Sequence, residues 1–184
     1  FLTKIDHESD PLGEKLAKLE FGTSTGRQRM VGWFDAVEKG NALRYGGFDE
    51  LVINKLDALT LDDGLDCQLK ICTAYRLPDG SLTTSIPRSE ELRKTLAPVY
   101  ETLDGWQEDI SSISSYEKLP LNAKVYISRM IGSLLEVAYP DGYSNLHLPQ
   151  IMFVGVGPDP GQIISDIPLT DKLIAEQSLA HTPS

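Results

Sequence analysis

The sequence has 184 residues, enough for one domain with a sizeable core. Hydrophobic residues make up 41% and charged residues 24%, an ordinary balance for a globular chain, and no apolar run approaches the length of a membrane span. The 27 acidic and 17 basic residues leave a formal charge of −10, which argues against a protein that coats nucleic acid; a local basic cluster can still hold one small anion.

In chain order, SDPLGEKLAKLEFG reads as turn residues followed by a short helical stretch. A polar loop, GTSTGRQR, comes next. A helix is predicted from about Phe34 to Arg44, stopped by Gly46–Gly47. The run from Glu50 to Asp57 has a short apolar centre with polar flanks, as expected of a buried strand in a parallel sheet. Gln68 to Leu77 and Ser81 to Ile86 read as two strands joined by the turn Pro78-Asp79-Gly80, hence a hairpin. Ser89 can cap a helix that ends near Ala97-Pro98, because the residue before proline avoids helical geometry.

The clearest helix spans about Leu121 to Val137. Ala123, Tyr126, Ile127, Met130, Ile131, Leu134 and Leu135 recur at three and four positions and mark its core face. A strand from Gln150 to Val156 follows, ending in Gly155-Val156-Gly157-Pro158. The expected fold is therefore α/β, mostly parallel strands with one β-hairpin and packed helices. In such sheets ligands gather beyond the C-terminal ends of strands, where Asn54–Asp57 and Gly155–Pro158 both fall.

Cys67 and Cys72 are five positions apart on one predicted strand and point to opposite faces, so they read as two buried free thiols in a reducing compartment. His7, His147 and His181 show no ligand or catalytic spacing, and the tail AEQSLAHTPS reads as mobile. No signal-peptide pattern opens the sequence. It begins with Phe1 rather than Met, so the expectation is a start removed by design or processing.

Two places carry chemistry. Asn54-Lys55-Leu56-Asp57 spells N-K-x-D. Guanine offers two adjacent donors, its ring N1–H and its exocyclic amine, and the Asp57 carboxylate has two coplanar acceptors for them. Adenine presents an acceptor at N1 and would leave that carboxylate partly unpaired. The Lys55 stem can lie along the base. The same four letters also arise in ordinary strand ends. A signalling GTPase is disfavoured, since no G-x-x-x-x-G-K-[ST] phosphate loop occurs in the 184 residues.

The second place is Gly22-Thr23-Ser24-Thr25-Gly26-Arg27-Gln28-Arg29. Its glycines allow a tight turn and its hydroxyls add donors. In a locally extended loop Arg27 and Arg29 project to one side and can grip a dicarboxylate, or a carboxylate and a phosphate. A solvated surface loop is the plain alternative.

EFGTSTGRQRMVGWFD resembles the E-F-G-x-T-T-G-R-x-R-R-x-G-W-x-D substrate loop of the adenylosuccinate synthetase family. Further along, NKLDALTLDDGLDCQLKICTAYRLPDG, PVYETLDGWQEDI, LPLNAKVYISRMI and VGVGPD resemble later blocks of the same family, in the same order, from about Phe1 to Ile167. The resemblance implies the C-terminal portion of a ligase that joins IMP and L-aspartate at the expense of GTP, with Mg2+, in purine (AMP) biosynthesis. In that chemistry GTP phosphorylates the purine oxygen and the aspartate amine displaces the phosphate. It also implies a cytoplasmic homodimer with no membrane or nucleic-acid partner.

By the same resemblance, Thr23, Ser24, Thr25, Gly26, Arg27, Gln28 and Arg29 bind aspartate and IMP, within a substrate loop over about 20–35. Arg29, Lys55, Leu56, Asp57, Gly155, Val156, Gly157 and Pro158 bind GTP, within elements over about 50–57 and 154–160. The family's catalytic Asp and His, its glycine-rich phosphate loop and its Mg2+ ligand belong to an N-terminal half, and no G-D-E-G-K-G-K string occurs here. The expectation is a chain that has no catalytic residue of its own and is inactive alone. Departures are Gln28 and Met30 where arginines are common, Pro160 in place of an arginine, and a small insertion between Asp57 and Cys72. The alternatives are a silent guanine-nucleotide or anion-binding module, or a paralogue acting on another purine nucleotide.

Overall fold

The structure is a computed structural model; it describes every residue except Phe1, His7, Thr23, Thr25, Asp63, Asp66, Cys67 and 181–184, and backbone only for 176–180. The first helix, α1 (Pro11–Leu19), starts where Pro11 fixes the backbone and Asp10 accepts from the amides of Leu12 and Gly13. Strand β1 (Phe34–Asp35) runs directly into α2 (Ala36–Gly46), whose N-cap is Asp35 and whose stop is Gly47 at φ +63°. The predicted helix thus begins two residues late. Phe34 and Asp35 pair instead with a neighbouring strand, and the carboxylate that closes β1 opens α2 by accepting from Glu38 N.

Strand β2 (Glu50–Ile53) is followed by a 3-10 turn, Leu56–Leu59. Then come β3 (Gln68–Arg76), β4 (Leu82–Thr83), α3 (Glu90–Lys94) and β5 (Ala97–Asp104). The long helix α4 (Leu121–Ala138), β6 (Gln150–Gly155), β7 (Ile163–Ile164) and α5 (Thr170–Ala180) complete the chain.

Two sheets form. In one, β3 pairs in parallel with β1 and antiparallel with both β4 and β5. In the other, β6 pairs in parallel with β2 and antiparallel with β7. The expectation of mostly parallel strands is corrected: among the described residues the sheets are mixed, with parallel pairing confined to β1–β3 and β2–β6. Three strands go unforeseen, the two-residue β1 and β7 and the eight-residue β5. Pro98 does mark the end of helical geometry, but α3 stops at Lys94 and Pro98 already pairs with Tyr75. Among the described residues β5 bonds only to β3, so its proline sits on an edge strand, where the missing N–H is tolerated. The hairpin's second strand is also shorter than predicted. Thr83 Oγ1 accepts from Ser85 N at 3.0 Å, a side-chain turn that leads the chain out of the ladder.

All seven predicted core positions of α4 are buried. The helix packs against α2 on one flank and α5 on another. Both flanks need close approach. Ser128 Oγ donates to Leu173 O of α5, and Gly40 of α2 lies where any Cβ would sit 2.6 Å from Val137 Cβ and 2.7 Å from Leu134 O. Trp106 anchors the opposite end, stacking obliquely on Tyr126 with ring centres 6.1 Å apart and donating to Thr60 Oγ1 at 3.0 Å.

Between α2 and β3 lies a small polar centre. Tyr75 Oη donates to the buried Asp35 carboxylate, and Cys72 is a fully buried free thiol beside it, as the sequence led one to expect for that cysteine; Cys67 falls outside the described residues. Burial and, secondarily, the Asp35 charge push the Cys72 thiol up to about 12. Burial also raises Tyr100 to about 12 and raises Tyr75 further. The unfolded chain therefore loses these protons first, so stability falls as pH rises from about 9 towards 12. Urea titrations at pH 8 and pH 10.5 are expected to show a lower midpoint at the higher pH. The Cys72→Ala variant should lose part of that difference, and an equal drop in both proteins would acquit the thiol.

Candidate functional site

The two sequence-predicted loops meet at one end of the β2–β6–β7 sheet. β2 and β6 run parallel with Ile53 opposite Val154, so the segments that leave them, Asn54–Asp57 and Val156–Pro158, emerge side by side. The inner face of this sheet, including Ile151, Val154 and Ile164, joins the core. The other face ends in an open cavity of about 740 Å3. Phe153, Gly155 and Ile163 form part of its wall, with Lys55, Asp57 and Glu20 at its polar side.

Lys55 has φ +60° and ψ +40°, the one left-handed non-glycine residue among the described positions. That conformation costs an ordinary residue on the order of 1 kcal/mol, and it turns the chain abruptly from β2 into the 3-10 turn. Asp57 follows two residues later, half-buried on the cavity wall, and its Oδ1 is buried with no hydrogen-bond partner among the described residues. An unpartnered buried acceptor is costly unless a ligand donor reaches it. Leu56, between them, points into the core at 2% exposure and can serve the site only through its backbone.

Gly155, Gly157 and Pro158 line the same cavity. A Cβ on Gly155 would touch Asn54 at 3.4 Å, so the two strand ends run nearly in contact. Val156 faces the core, and its N–H donates to Gln162 O at 2.9 Å. Gln162, which the sequence reading missed, seats its amide where a Gly157 side chain would be. It is held there by accepting from Asp159 N at 2.8 Å and donating to Ser111 O at 3.0 Å. Gly157→Ala is therefore expected to expel Gln162 and splay the 156–162 loop. The measurable result is a lower melting midpoint, to be compared with Gly161→Ala, where a Cβ meets nothing within 4 Å.

The Arg loop is a narrow ribbon. Arg29 N donates to Glu20 O and Gly22 N to Arg27 O, both at 2.8 Å, with Phe21 bridged to Gln28 and Gly26 turning at φ +61°. In such a ladder alternate residues share a face, which puts Arg27 and Arg29 on one side and Gln28 on the other. Gln28 Nε2 donates to Ala17 O at 3.1 Å, fastening the loop to α1. Ser24, Gly26 and both arginines are exposed; Thr23 and Thr25 fall outside the described residues.

Glu20 joins the two places. One carboxylate oxygen accepts from Lys55 Nζ, and the other lies 3.5 Å from Arg29 Nη1. A separate cavity of about 590 Å3 lies at Asp35 and Tyr75, but that carboxylate is already served by the Tyr75 hydroxyl and Glu38 N.

The sequence profile of the family described as "Adenylosuccinate synthetase" matches residues 1–141. The chain belongs to the adenylosuccinate synthetase family. It is 43% identical over 120 residues to an adenylosuccinate synthetase of Acidothermus cellulolyticus, covering 64% of this chain and 27% of that protein. It is 42% identical over 140 residues to one of Staphylococcus aureus, covering 76% of this chain and 29% of that protein. The structure described as fully ligated adenylosuccinate synthetase from Plasmodium falciparum superimposes with a TM-score of 0.73 at 30% identity, over 90% of this chain and 35% of that one. The chain thus spans less than a third of the length of these curated relatives. The profile stops before Gly155–Pro158, whereas the structural likeness takes in nine-tenths of the chain. Among the described residues, no three or more His, Cys, Asp or Glu side chains group to hold a metal ion, and no helix is long and apolar enough to cross a membrane.

Proposed function

We propose that this chain is the C-terminal portion of an adenylosuccinate synthetase, supplying the guanine pocket and the anion loop of a GTP-dependent ligase that joins IMP and L-aspartate. The observation that carries the reading is Asp57, which lines a cavity with Lys55, Gly155, Gly157 and Pro158 and whose Oδ1 has no hydrogen-bond partner among the described residues. Asp57 accepts from guanine N1–H and the exocyclic amine. The Lys55 stem covers one face of the base, and the glycines leave room for its edge. Arg29 and Arg27 take a carboxylate and a phosphate oxygen with paired bonds. Bound GTP supplies the phosphoryl group that activates the purine oxygen. The residues of this chain orient and neutralise, and none of them is assigned to Mg2+ or to proton transfer. A cytoplasmic homodimer is the assembly that goes with this reading.

Direct titration of the 184-residue chain tests it. GMP should shift the amide resonances of Lys55, Asp57 and Gly157, and AMP at the same concentration should not. Equal responses to both would end the guanine reading and leave a general anion-binding module. A coupled assay with GTP, IMP and aspartate is expected to show no turnover, because the 184 residues contain no glycine-rich phosphate loop. Turnover would contradict the assignment. Arg29→Leu is expected to weaken L-aspartate binding roughly ten- to a hundredfold, since a charged paired contact contributes about 1.5–3 kcal/mol. GMP recognition by Asp57 should survive that change.

A further inference from the structure

Glu20 sits at the junction of α1 and the Arg loop. Its N–H donates to Leu16 O at 3.0 Å, and its carbonyl accepts from Arg29 N at 2.8 Å. Its backbone is therefore pinned from both directions. The carboxylate is only 13% exposed, whereas its two cations are more than half exposed. Oε1 holds Lys55 Nζ, 35 positions away in sequence, and Oε2 faces Arg29 Nη1 at 3.5 Å. The Lys55 contact is a charge-assisted hydrogen bond; the Arg29 contact is longer than an ordinary one and is the weaker of the two. A single negative charge divided between two cations gives less to one when the other takes more.

We infer that Glu20 is a positioning residue that couples the purine pocket to the anion loop, and this inference rests on the reading of both loops given above. A guanine seated on Asp57 and the Lys55 stem keeps the Lys55 ammonium on Glu20. That loosens the hold of Glu20 on Arg29 and leaves the guanidinium ready for the carboxylate of an amino acid. By linkage, an amino acid that takes Arg29 returns the whole Glu20 charge to Lys55 and tightens the purine pocket by the same factor.

The test is a pair of NMR titrations of the 184-residue chain, GMP with and without saturating L-aspartate, and the reverse. In the wild type, aspartate should tighten GMP about three- to tenfold, and GMP should shift the Arg29 and Gly26 amides as well as those at Lys55. Glu20→Gln keeps the shape and one acceptor but removes the charge, and is expected to bring the coupling factor to one. Lys55→Arg keeps a cation within reach of Oε1 and should retain coupling. Should Glu20→Gln fail to fold, Lys55→Met removes the same bridge and must also bring the factor to one.

A merely structural Glu20 would lower the melting midpoint and weaken both ligands equally while leaving the factor unchanged, and that result overturns the inference. So does wild-type binding of GMP with no response to aspartate. A wild-type chain that does not bind GMP at all overturns the nucleotide reading itself, and the inference with it.

Discussion

Gly40→Ala is expected to destabilise the chain by about 3 kcal/mol, among the largest effects of a single added methyl group. The new Cβ would lie 2.6 Å from Val137 Cβ, 2.8 Å from Val137 Cγ1 and 2.7 Å from Leu134 O. One of these contacts is backbone, so rotation of a side chain cannot relieve the overlap and α2 must move away from α4. The displaced surface is the centre of the fold, since α4 also carries Tyr126, Ile127 and Leu135 into the core. For a chain of this length, about 3 kcal/mol corresponds to a fall of roughly 6–12 °C in melting midpoint. Calorimetry against Gly161→Ala is the measurement, because that site has open space. A midpoint within about 2 °C of the control, roughly what 1 kcal/mol moves it, would mean that the helices cross less closely than described.

Asp57→Asn carries the largest expected effect on recognition. Under the proposed function the carboxylate offers two acceptors to two guanine donors. The amide offers one acceptor and one donor, so one contact becomes donor against donor, and an uncompensated polar contact costs about 1–3 kcal/mol. GMP binding should weaken roughly ten- to a hundredfold on that basis. Xanthosine monophosphate replaces the amine by a carbonyl and meets the introduced amide with matching polarity. It is expected to bind the variant better than GMP does, reversing the wild-type order. Fluorescence or NMR competition between the two nucleotides reads this directly. An unchanged order would remove Asp57 from base recognition and free its buried Oδ1 for another explanation.

The sequence made some of this architecture plain and hid other parts for physical reasons. The α4 stripe was readable because apolar residues at helical spacing have few other uses. The Gly46–Gly47 stop was readable because Gly47 adopts a left-handed conformation that disfavours side chains. Strand β5 was hidden by Pro98, whose helix-ending signal is real but whose edge position allows it to pair. The mixed strand directions were hidden because pairing is a long-range property. Nothing local in Ala97–Asp104 says that it will lie antiparallel to β3.

At the site, the spacing of Lys55 and Asp57 was visible, and so was the pair of arginines. Leu56 and Val156 were grouped with the binding residues by motif, yet their side chains belong to the core. Gln162 had no local signature at all; the empty volume at Gly157 and the bonds to Asp159 N and Ser111 O set where its amide sits. Glu20 opens the stretch EFGTSTGRQRMVGWFD, but that its carboxylate faces two separate loops is a fact of three-dimensional arrangement.

The pairing of β2 with β6 brings Glu50 opposite Gln150, joining positions separated by more than half the chain. Closing so large a loop carries an entropic cost that local helices and the adjacent β3–β4 hairpin do not bear. Refolding should therefore pass through molecules that have regained helical structure before the cleft between the two strand ends exists. The cleft then closes as the last event of folding, and molecules caught earlier present unpaired strand edges to one another, which makes concentration during renaturation a determinant of yield.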